Sequence, residues 1–338
     1  MRLSVIDAGS HTVRLVVADA GDGVPLPVHT AKWKLRLSEQ TGADGRIGEA
    51  ATRQLVKAIR KAARTAERWG APEPLAFATA VVRHAPDRTH VLRAVRAESG
   101  VRLCVLSGET EAELTFLAVR RWMGWKAGPI ALFDIGGGSL EVAFGRGRTP
   151  DFAVSLPLGA VRLTRRFFGH DDPPSPDEIL ALRREVRHQL RDAGARIRWE
   201  NPRTAVASSR TFQQLARLCG AAPGRHGPFA AREVRGKDLR RAIDRLAALP
   251  AARRSELPGI SAPRSHQSLA GAVIGHTAMK VSGLDTLAVS PWALREGILL
   301  RHLEDGPGWW PDAVARPDTR DAPEPPTAPR PSAVVPLR

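Results

Sequence analysis

The sequence has no tyrosine, only two cysteines and few aromatic residues, which make up 5% of the chain. Two cysteines cannot build the disulfide framework of a small secreted domain, so we expect Cys104 and Cys219 to be reduced thiols. No uninterrupted apolar run reaches the roughly 18 residues that a membrane-spanning helix needs. The first residues, MRLSVIDAGS, alternate like a strand and do not resemble a signal peptide. We therefore expect a cytoplasmic protein that does not contact membranes.

Acidic residues are also in the minority. The 35 Asp and Glu stand against 51 Lys and Arg, which gives a formal net charge of +16. Such a field attracts polyanions, among them nucleic acid, polyphosphate and phosphorylated nucleotides. Nearly all of the basic residues are arginine, which equally indicates a bias in genomic base composition. No nucleic-acid-binding module is recognisable and base-stacking aromatics are sparse, so the sequence argues against nucleic acid as the partner.

Segments that alternate like strands are interleaved with segments of helical periodicity, a pattern typical of an α/β protein. At 338 residues, the chain is long enough for two domains with their own cores. Residues 52–69 show the clearest helical pattern, with one apolar face and one face of Arg and Lys. Another helix begins at Ser175-Pro176-Asp177-Glu178, where Ser is the N-cap and Glu completes a capping box, and its pattern continues to Ala193.

One pattern occurs twice in the chain. The segment from Asp7 to Leu15 consists of Asp, a Gly-rich turn with hydroxyl residues and an apolar strand. The segment from Asp134 to Val142 repeats it at an offset of 127 residues (134 − 7). Each segment also follows an apolar strand. The repeat predicts two related domains that face each other.

Both repeated turns have the chemistry of a phosphate site. Glycine lets an oxyanion approach several backbone amides at once. The hydroxyl groups of Ser10, Thr12 and Ser139 add donors. Asp7 and Asp134, at the ends of the preceding strands, can hold Mg²⁺ directly or through water. A single Gly-rich turn is often only a turn, but two turns with the same Asp predict a paired phosphate site.

Hydrolysis of a phosphoanhydride needs a positioned water, charge neutralisation and usually a base. Glu111, just inside a predicted helix start, is the candidate base, and Glu109 is its rival. Two residues apart on a helix, they point to different sides, so at most one should face the site. Arg83, after the predicted strand 75–80, could hold a phosphate in a bidentate manner. Taken singly, each of these residues is better explained as an ordinary charged residue at a helix start or on the surface.

Together these residues resemble the exopolyphosphatase / guanosine pentaphosphate phosphatase (Ppx/GppA) family, in its short two-domain actinobacterial form. The resemblance covers roughly residues 3–303. Its motifs occur in the family's order: Asp-x-Gly-Ser at Asp7, Ala-Thr-x-x-x-Arg ending at Arg83, Ser-Gly-x-x-Glu-Ala at 107–112, Asp-Ile-Gly-Gly-Gly-Ser-x-Glu at 134–141, Leu-Pro-Leu-Gly-Ala-Val-Arg-Leu-Thr at 156–164 and Ser-Pro-Trp-Ala-Leu-Arg-Glu-Gly at 290–297. Four or more motifs in this order are hard to obtain by chance.

The resemblance implies an α/β fold of duplicated actin/hexokinase-like (ribonuclease H-like) domains with a cleft between them. It implies that Glu111 is the catalytic base and that Asp134 and Glu141 are associated with Mg²⁺, to which we add Asp7 from its place before the first turn. The implied phosphate-binding residues are Gly9, Ser10, His11, Thr12, Arg83, Gly136, Gly137, Gly138 and Ser139.

Three positions depart from the family pattern. His11 stands where the family usually has Asn, and its larger ring can also carry a positive charge. Ala80 replaces a usual Ser and removes a hydroxyl group. The turn Ser208-Ser209-Arg210-Thr211 lacks the Gly that is often found there. These departures affect the expected rate and substrate choice more than the expected fold.

The predicted domains are residues 1–127, completed by a C-terminal helix at about 291–304, and residues 128–290. The remaining tail, residues 305–338, contains nine of the 27 prolines. It has too little apolar content to fold, and we expect it to be disordered. Trp309 and Trp310 are the tail residues that could pack on the folded body.

The function expected from the resemblance is Mg²⁺-dependent release of terminal orthophosphate from inorganic polyphosphate. The near alternative is hydrolysis of the 5′-phosphate of guanosine pentaphosphate. The positive charge favours the longer polyanion, because each further phosphate adds screened attraction. A second alternative, motivated by His11 and Ala80, is a regulatory protein that binds polyphosphate or nucleotide without turnover. The oligomeric state stays open, with a homodimer as one option.

Overall fold

The structure of the protein, a computed structural model, describes residues 1–310 apart from Asp22, Ala43 and His170. Most of the predicted tail therefore lies outside the described residues. In its first part, Trp309 and Trp310 meet edge to face, with ring centroids 5.1 Å apart, and both pack against the core of the first sheet. In the part of the chain that is described, no helix is both long and apolar enough to cross a membrane.

The N-terminal half folds around a five-stranded sheet. Its strands are β1 (Arg2–Ala8), β2 (Thr12–Asp19), β3 (Leu26–Lys34), β4 (Leu75–Ala78) and β5 (Cys104–Val105). They lie in the order β3-β2-β1-β4-β5, with β1 antiparallel to β2 and parallel to β4. The β1–β2 hairpin therefore places the first Gly-rich turn beside the end of β4.

The second half repeats this arrangement. Its strands are β6 (Ile130–Ile135), β7 (Leu140–Gly145), β8 (Phe152–Leu156), β9 (Thr204–Ser208), β10 (Glu233–Arg235) and β11 (Thr286–Val289). They lie in the order β10-β11-β9-β6-β7-β8, so that the run β8-β7-β6-β9-β11 has the same strand directions as the first sheet. The predicted duplicated α/β fold is thereby confirmed, whereas its boundaries at residues 127 and 290 stay predictions.

Helices cover and connect the two sheets. They are α1 (Leu37–Gln40), α2 (Gly48–Arg68), α3 (Ala80–Arg83), α4 (Arg88–Ser99), α5 (Gly108–Met123), α6 (Ala160–Phe167), α7 (Pro176–Gln189), α8 (Arg191–Glu200), α9 (Ser209–Leu218), α10 (Gly236–Ala247), α11 (Ser265–Val281) and α12 (Leu294–Asp305). The predicted helix at 52–69 corresponds to α2, whose apolar face packs on the first sheet. The C-terminal helix begins later than predicted, because Ser290 Oγ bonds both the amide and the carbonyl of Trp292 in a turn.

Helix α7 has the predicted capping box. Ser175 Oγ accepts a hydrogen bond from Glu178 N over 3.3 Å, and Glu178 Oε2 accepts one from Ser175 N over 2.8 Å. The prediction that this helix continues to Ala193 is wrong. The helix ends at Gln189, and the next residue, Leu190, has a ψ of −3° that departs from helical geometry while its side chain stays fully buried. α8 is therefore a separate helix.

Helix α5 lies between the two sheets. On one side Leu114 packs with Ile298 and Leu299 of α12 in the core of the first sheet. On the other side Phe116 and Val119 pack on the second sheet. Because α5 is buried from both directions, the packing of these side chains determines where its first turn lies.

We expect Gly297→Ala to destabilise the protein by about 2–3 kcal/mol, because the added carbon separates α12 from α5. A Cβ on Gly297 would lie 1.9 Å from the carbonyl oxygen of Leu114. Urea-induced unfolding measures the change. Gly147→Ala is the matched control, since a Cβ at Gly147 meets nothing within 4 Å. Equal stability of the two variants would contradict the close contact.

Candidate active site

The two Gly-rich turns face each other across the gap between the sheets. The amides of Gly9 and Gly136 each donate to the carbonyl three residues later, over 3.1 and 2.9 Å, so both hairpins close in the same way. A Cβ placed on Gly137 would lie 2.7 Å from Ser10 Oγ. The first turn therefore leaves no room for a side chain at the tip of the second.

Helix α6 orients the peptide groups of the second turn. Its first N–H groups, from Ala160 to Arg162, donate to the carbonyls of Gly136 and Gly137 over 3.0 to 3.1 Å. In a trans peptide the N–H group points away from the carbonyl to which it is joined. The N–H groups of Gly137 and Gly138 therefore point away from α6, where they can bind an anion together.

The position of Glu111 follows from the start of α5. Ser107 caps this helix by accepting a hydrogen bond from a first-turn amide over 3.1 Å. Glu111 is 7% exposed, and its Oε1 forms an ion pair with Nη1 of Arg83. The same Nη1 donates to the carbonyl of Leu106 over 2.8 Å. Arg83 thus holds the predicted base in one orientation.

Four carboxyl groups meet in the gap. Burial raises the pKa of Glu111, Arg83 opposes this shift, and Asp134 and Asp7 add to it. Burial likewise raises the pKa of Glu141, and Glu111 and Asp134 raise it further. These mutual effects show that the predicted base and the three predicted metal-associated carboxylates share one electrostatic environment.

Asp134 and Glu141 are cross-strand partners in the β6–β7 hairpin. Ser208 Oγ donates to Asp134 Oδ2, and Ser155 Oγ donates to Glu141 Oε1 over 2.9 Å. Burial raises the pKa of Asp134 to about 6, while the hydrogen bond from Ser208 lowers it. A Cβ on Gly108 would lie 2.2 Å from the Cβ of Ser155. Glycine at the start of α5 therefore lets the helix approach the Glu141 strand directly.

A group of arginines in the same gap was not predicted from the sequence. Arg295 Nε lies 3.9 Å from Asp7 Oδ2, and Arg14 is the cross-strand partner of Asp7. Burial raises the pKa of Asp7, whereas Arg295 and Arg14 lower it. Burial lowers the pKa of Arg264 to about 10, and Arg14 and Arg210 add to this effect, so Arg264 stays charged at neutral pH. We call Arg14, Arg210, Arg264 and Arg295 the cleft arginines.

One cleft arginine could have been found in the sequence. Arg14 lies opposite Asp7 in the predicted hairpin, so the register alone brings the two together. Arg264, Arg295 and Arg210 come from distant segments, and only the fold brings them near Asp7. Arg295 lies within the Ser290–Gly297 motif, but its position there does not indicate what it faces.

His11 is a neutral side chain in this environment. It is 8% exposed, and burial lowers its pKa to about 4. Three neighbouring arginines, Arg264, Arg36 and Arg165, lower the pKa further. Its Nδ1 lies 3.0 Å from Ser10 Oγ. His11 therefore presents an uncharged ring to an anion at neutral pH.

The other two departures from the family pattern concern a side chain at residue 80 and the backbone at residue 209. A Cβ on Gly138 would lie 2.7 Å from the Cβ of Ala80, so residue 80 touches the second turn and the hydroxyl is lost from its edge. Ser209 has a φ of 83°, in the left-handed region that favours glycine. A residue other than glycine in this conformation costs about 1 kcal/mol or more.

The donor set of the gap fits Mg²⁺. This ion prefers oxygen ligands and, in phosphate sites, takes one or two carboxylates together with waters and substrate phosphates. Within residues 1–310 as described, no three His, Cys, Asp or Glu side chains lie close enough to hold a metal by themselves. Asp134, Glu141 and Asp7 therefore suit a metal shared with a phosphate, not a cage built by protein alone.

The gap thus combines amide and arginine donors for an anion, carboxylates suited to Mg²⁺ and a buried carboxylate that can accept a proton. These are the parts that hydrolysis of a phosphate bond requires. Between two domains of the duplicated actin/hexokinase-like fold, they define a phosphohydrolase.

The Ppx/GppA phosphatase family model matches residues 16–305, and the chain belongs to this family. An uncharacterized protein of Streptomyces coelicolor is 68% identical over 326 residues, 96% of this chain and 97% of that protein. Exopolyphosphatase 1 of Mycobacterium leprae is 46% identical over 306 residues, 90% of each chain. The crystal structure of the Aquifex aeolicus family member matches with a TM-score of 0.77 at 26% identity, over 90% of this chain and 98% of that one. The protein is accordingly a phosphoanhydride hydrolase.

Asp134→Asn should stabilise the metal-free protein at neutral pH but not at acidic pH. Folding raises the pKa of Asp134 from 3.8 to about 6, so the folded protein binds this proton more tightly and stability falls as pH rises between these values. Asp134 keeps some contact with solvent, and we therefore expect a gain of about 1–2 kcal/mol near pH 7.5 and none near pH 4. Urea unfolding in EDTA at both pH values measures it.

The control for this experiment is Glu67→Gln, because Glu67 is exposed on α2. As a substitution on the surface, it should change the free energy of unfolding by less than about 0.5 kcal/mol. If Asp134→Asn were less stable than wild type near pH 7.5, the ionised Asp134 carboxylate would not destabilise the folded protein, and the prediction would be wrong.

Ser209→Gly should stabilise the protein. Glycine adopts a φ of 83° without steric conflict, and it gives up only the hydrogen bond of 3.4 Å from Phe212 N to Ser209 Oγ. We expect a net gain of about 0.5–1 kcal/mol in thermal unfolding. Ser175→Gly, at an N-cap with a φ of −67°, should bring no gain. Loss of stability in Ser209→Gly would show that this position is not strained.

Proposed function

We propose that the protein is an exopolyphosphatase, which hydrolyses the terminal phosphoanhydride bond of inorganic polyphosphate and releases orthophosphate. The observation that carries the proposal is the position of Glu111, a buried carboxylate with a raised pKa that Arg83 holds beside the two facing turns. A carboxylate with a raised pKa is suited to take a proton near neutral pH. The name of the Mycobacterium leprae relative, exopolyphosphatase 1, supports the same substrate.

The facing turns bind the terminal phosphate in this proposal. The amides of Gly137 and Gly138 donate to its oxygens, and so do the hydroxyl groups of Ser10, Thr12 and Ser139. The cleft arginines neutralise the phosphates that follow along the chain. A substrate with several consecutive phosphates would use both sets of donors, which supports a condensed phosphate over a simple ester.

Glu111 accepts the proton of the water that attacks the terminal phosphorus. Arg83 fixes the carboxylate through Nη1, so that the base and the water keep their alignment. Breaking the phosphorus–oxygen bond leaves orthophosphate and a chain one unit shorter. Mg²⁺, when held by Asp134, Glu141 and Asp7 together with the substrate, supplies neutralisation of the charge on the transferred group.

Hydrolysis of guanosine pentaphosphate is the second candidate. A cavity of about 470 Å³ lies beside Arg210, one of the cleft arginines, and this volume is within the range of small-molecule sites. A nucleoside bound there would leave its phosphates near the cleft. The net charge of +16 favours the longer polyanion as the main substrate. A third candidate is a protein that binds polyphosphate or nucleotide without turnover. It would be supported if the protein cleaved none of the tested substrates.

The proposal includes a cytoplasmic setting. Cys104 and Cys219 are both free thiols, as expected for a reducing compartment. The association of two copies into a homodimer stays a prediction.

Glu111→Gln tests the assignment of the base. We expect wild type to release orthophosphate from polyphosphate in Mg²⁺ and not in EDTA, and the variant to be at least about 100-fold slower, as for a lost general base. Release of orthophosphate from long polyphosphate, short polyphosphate, guanosine pentaphosphate and ATP is measured under the same conditions. The highest kcat/KM identifies the substrate.

Glu109→Gln is the matched control, because Glu109 lies in the same first turn of α5 and was the rival candidate. It should keep activity within a few-fold of wild type. Equal activity of Glu111→Gln and wild type would exclude Glu111 as the base, and selective loss in Glu109→Gln would assign the role to its neighbour.

A further inference from the structure

A basic groove lies between α7, α8 and α11, apart from the cleft. Its volume is about 520 Å³, which is within the range of sites that hold ligands. The basic side chains that line it are Arg183, Arg187, Arg191, Arg198, His276 and Lys280. No residue of the proposed active site is among them.

Helix geometry arranges these side chains in rows. Arg183 and Arg187 are one turn apart on α7, and His276 and Lys280 are one turn apart on α11, so each pair lies on one face of its helix. α8 approaches α11 closely at Gly194, where a Cβ would lie 2.4 Å from a side-chain carbon of α11. The groove is therefore built into the packing of three helices and is not a chance gathering of mobile surface residues.

Most of the positive charges of the groove have no acidic partner among the described residues, the exception being Arg191, whose Nε lies 3.1 Å from Asp192 Oδ1. Glu185, the acidic residue of α7 nearest to them in sequence, pairs with Arg166 over 3.0 Å. Arg183, Arg187 and Lys280 form no ion pair with any residue that the structure describes. Like charges held together at a surface attract an anion that relieves their repulsion.

Two buried polar atoms in the groove also need a partner. Arg183 Nε and Thr277 Oγ1 are buried and make no hydrogen bond within the described residues. Burial lowers the pKa of Arg183, and Arg240 and Arg187 lower it further. Buried polar groups without partners are rare in native proteins. A ligand with oxygen acceptors would supply the missing negative charge beside these two residues, which both line the groove.

We propose that the basic groove binds a stretch of a condensed phosphate chain at a distance from the cleft. The identity of the ligand rests on the proposed function. Arg264, a cleft arginine, immediately precedes α11, whereas His276 and Lys280 lie about 18–24 Å further along the same helix at 1.5 Å per residue. A polyphosphate chain that is long enough to reach both the cleft and the groove binds more tightly than a chain that reaches only one of them. Once one end is bound, binding of the other end is intramolecular.

The composition of the groove favours polyphosphate over nucleic acid. Proteins that bind single-stranded nucleic acid combine a basic groove with aromatic side chains on which bases stack. The residues that line this groove include no Phe, Tyr or Trp, and His276 is the one ring among them. A polyphosphate chain offers only charge and oxygen acceptors, which is what the groove can recognise.

The test compares two double variants of the full chain that remove the same charge. Arg187→Gln with Lys280→Gln alters exposed residues of the groove, and Arg184→Gln with Lys57→Gln alters exposed residues elsewhere. The affinity for long-chain polyphosphate is measured by calorimetry in EDTA at several salt concentrations. We expect the groove variant to bind on the order of tenfold more weakly than the control, with a salt slope smaller by about 1–2. The kcat/KM of the groove variant for tripolyphosphate in Mg²⁺ should match that of the control variant, because this short substrate does not reach the groove.

Equal affinity of the two double variants for long-chain polyphosphate would overturn the proposal. So would a loss of affinity by the groove variant that is confined to single-stranded RNA. If wild type cleaves no polyphosphate but the groove variant still loses affinity for it, the proposed function fails and the groove assignment stands. If cleavage occurs and the affinities are equal, the proposed function stands and the groove assignment fails.

Discussion

The burial of α5 between the two sheets is the constraint on which the site depends. Its first turn packs against β8 at Ser155, and its middle packs against α12 through Leu114. Gly108 and Gly297 are the positions where a side chain would hold these neighbours apart. A helix confined in this way cannot shift along its axis without disrupting both cores. Glu111, in its first turn, is therefore held among the carboxylates of the second sheet as a direct result of core packing.

This packing concentrates charges where water is scarce. Burial and mutual repulsion raise the pKa of the carboxyl groups, while burial and the neighbouring cations lower the pKa of Arg264. Each group of like charges matches a different ligand: the carboxylates match a divalent cation, and the arginines match phosphate. A folded protein whose clustered carboxylates and arginines lack a bound cation and phosphate is less stable than one without these clusters. Bound ligands restore the stability by mass action. The same residues therefore weaken the free protein and prepare it for its substrate.

The excess of arginine has two components that composition alone could not separate. Many surface arginines pair with carboxylates, as Arg240 does with Asp244 over 2.6 Å, and these carry no further implication. The cleft arginines and the basic groove differ because they gather cations with few or no anions between them. A genomic bias toward arginine is compatible with the first component. The second needs the fold, since its residues come from distant segments.

Local patterns were enough to predict the two Gly-rich hairpins and the amphipathic helix α2 of this protein. Strand alternation on both sides of a Gly-rich turn, repeated at Asp7 and Asp134, predicts the duplicated sheets, because a hairpin is formed by neighbours in sequence. α11 escaped prediction because it is buried along most of its length, so too few polar residues mark an exposed face to give it a period. Motifs located Glu111 and the Gly-rich turns. Only the tertiary structure decided what Glu111 faces, which arginines surround Asp7 and where the basic groove lies, because contacts between distant segments leave no periodic trace in the sequence.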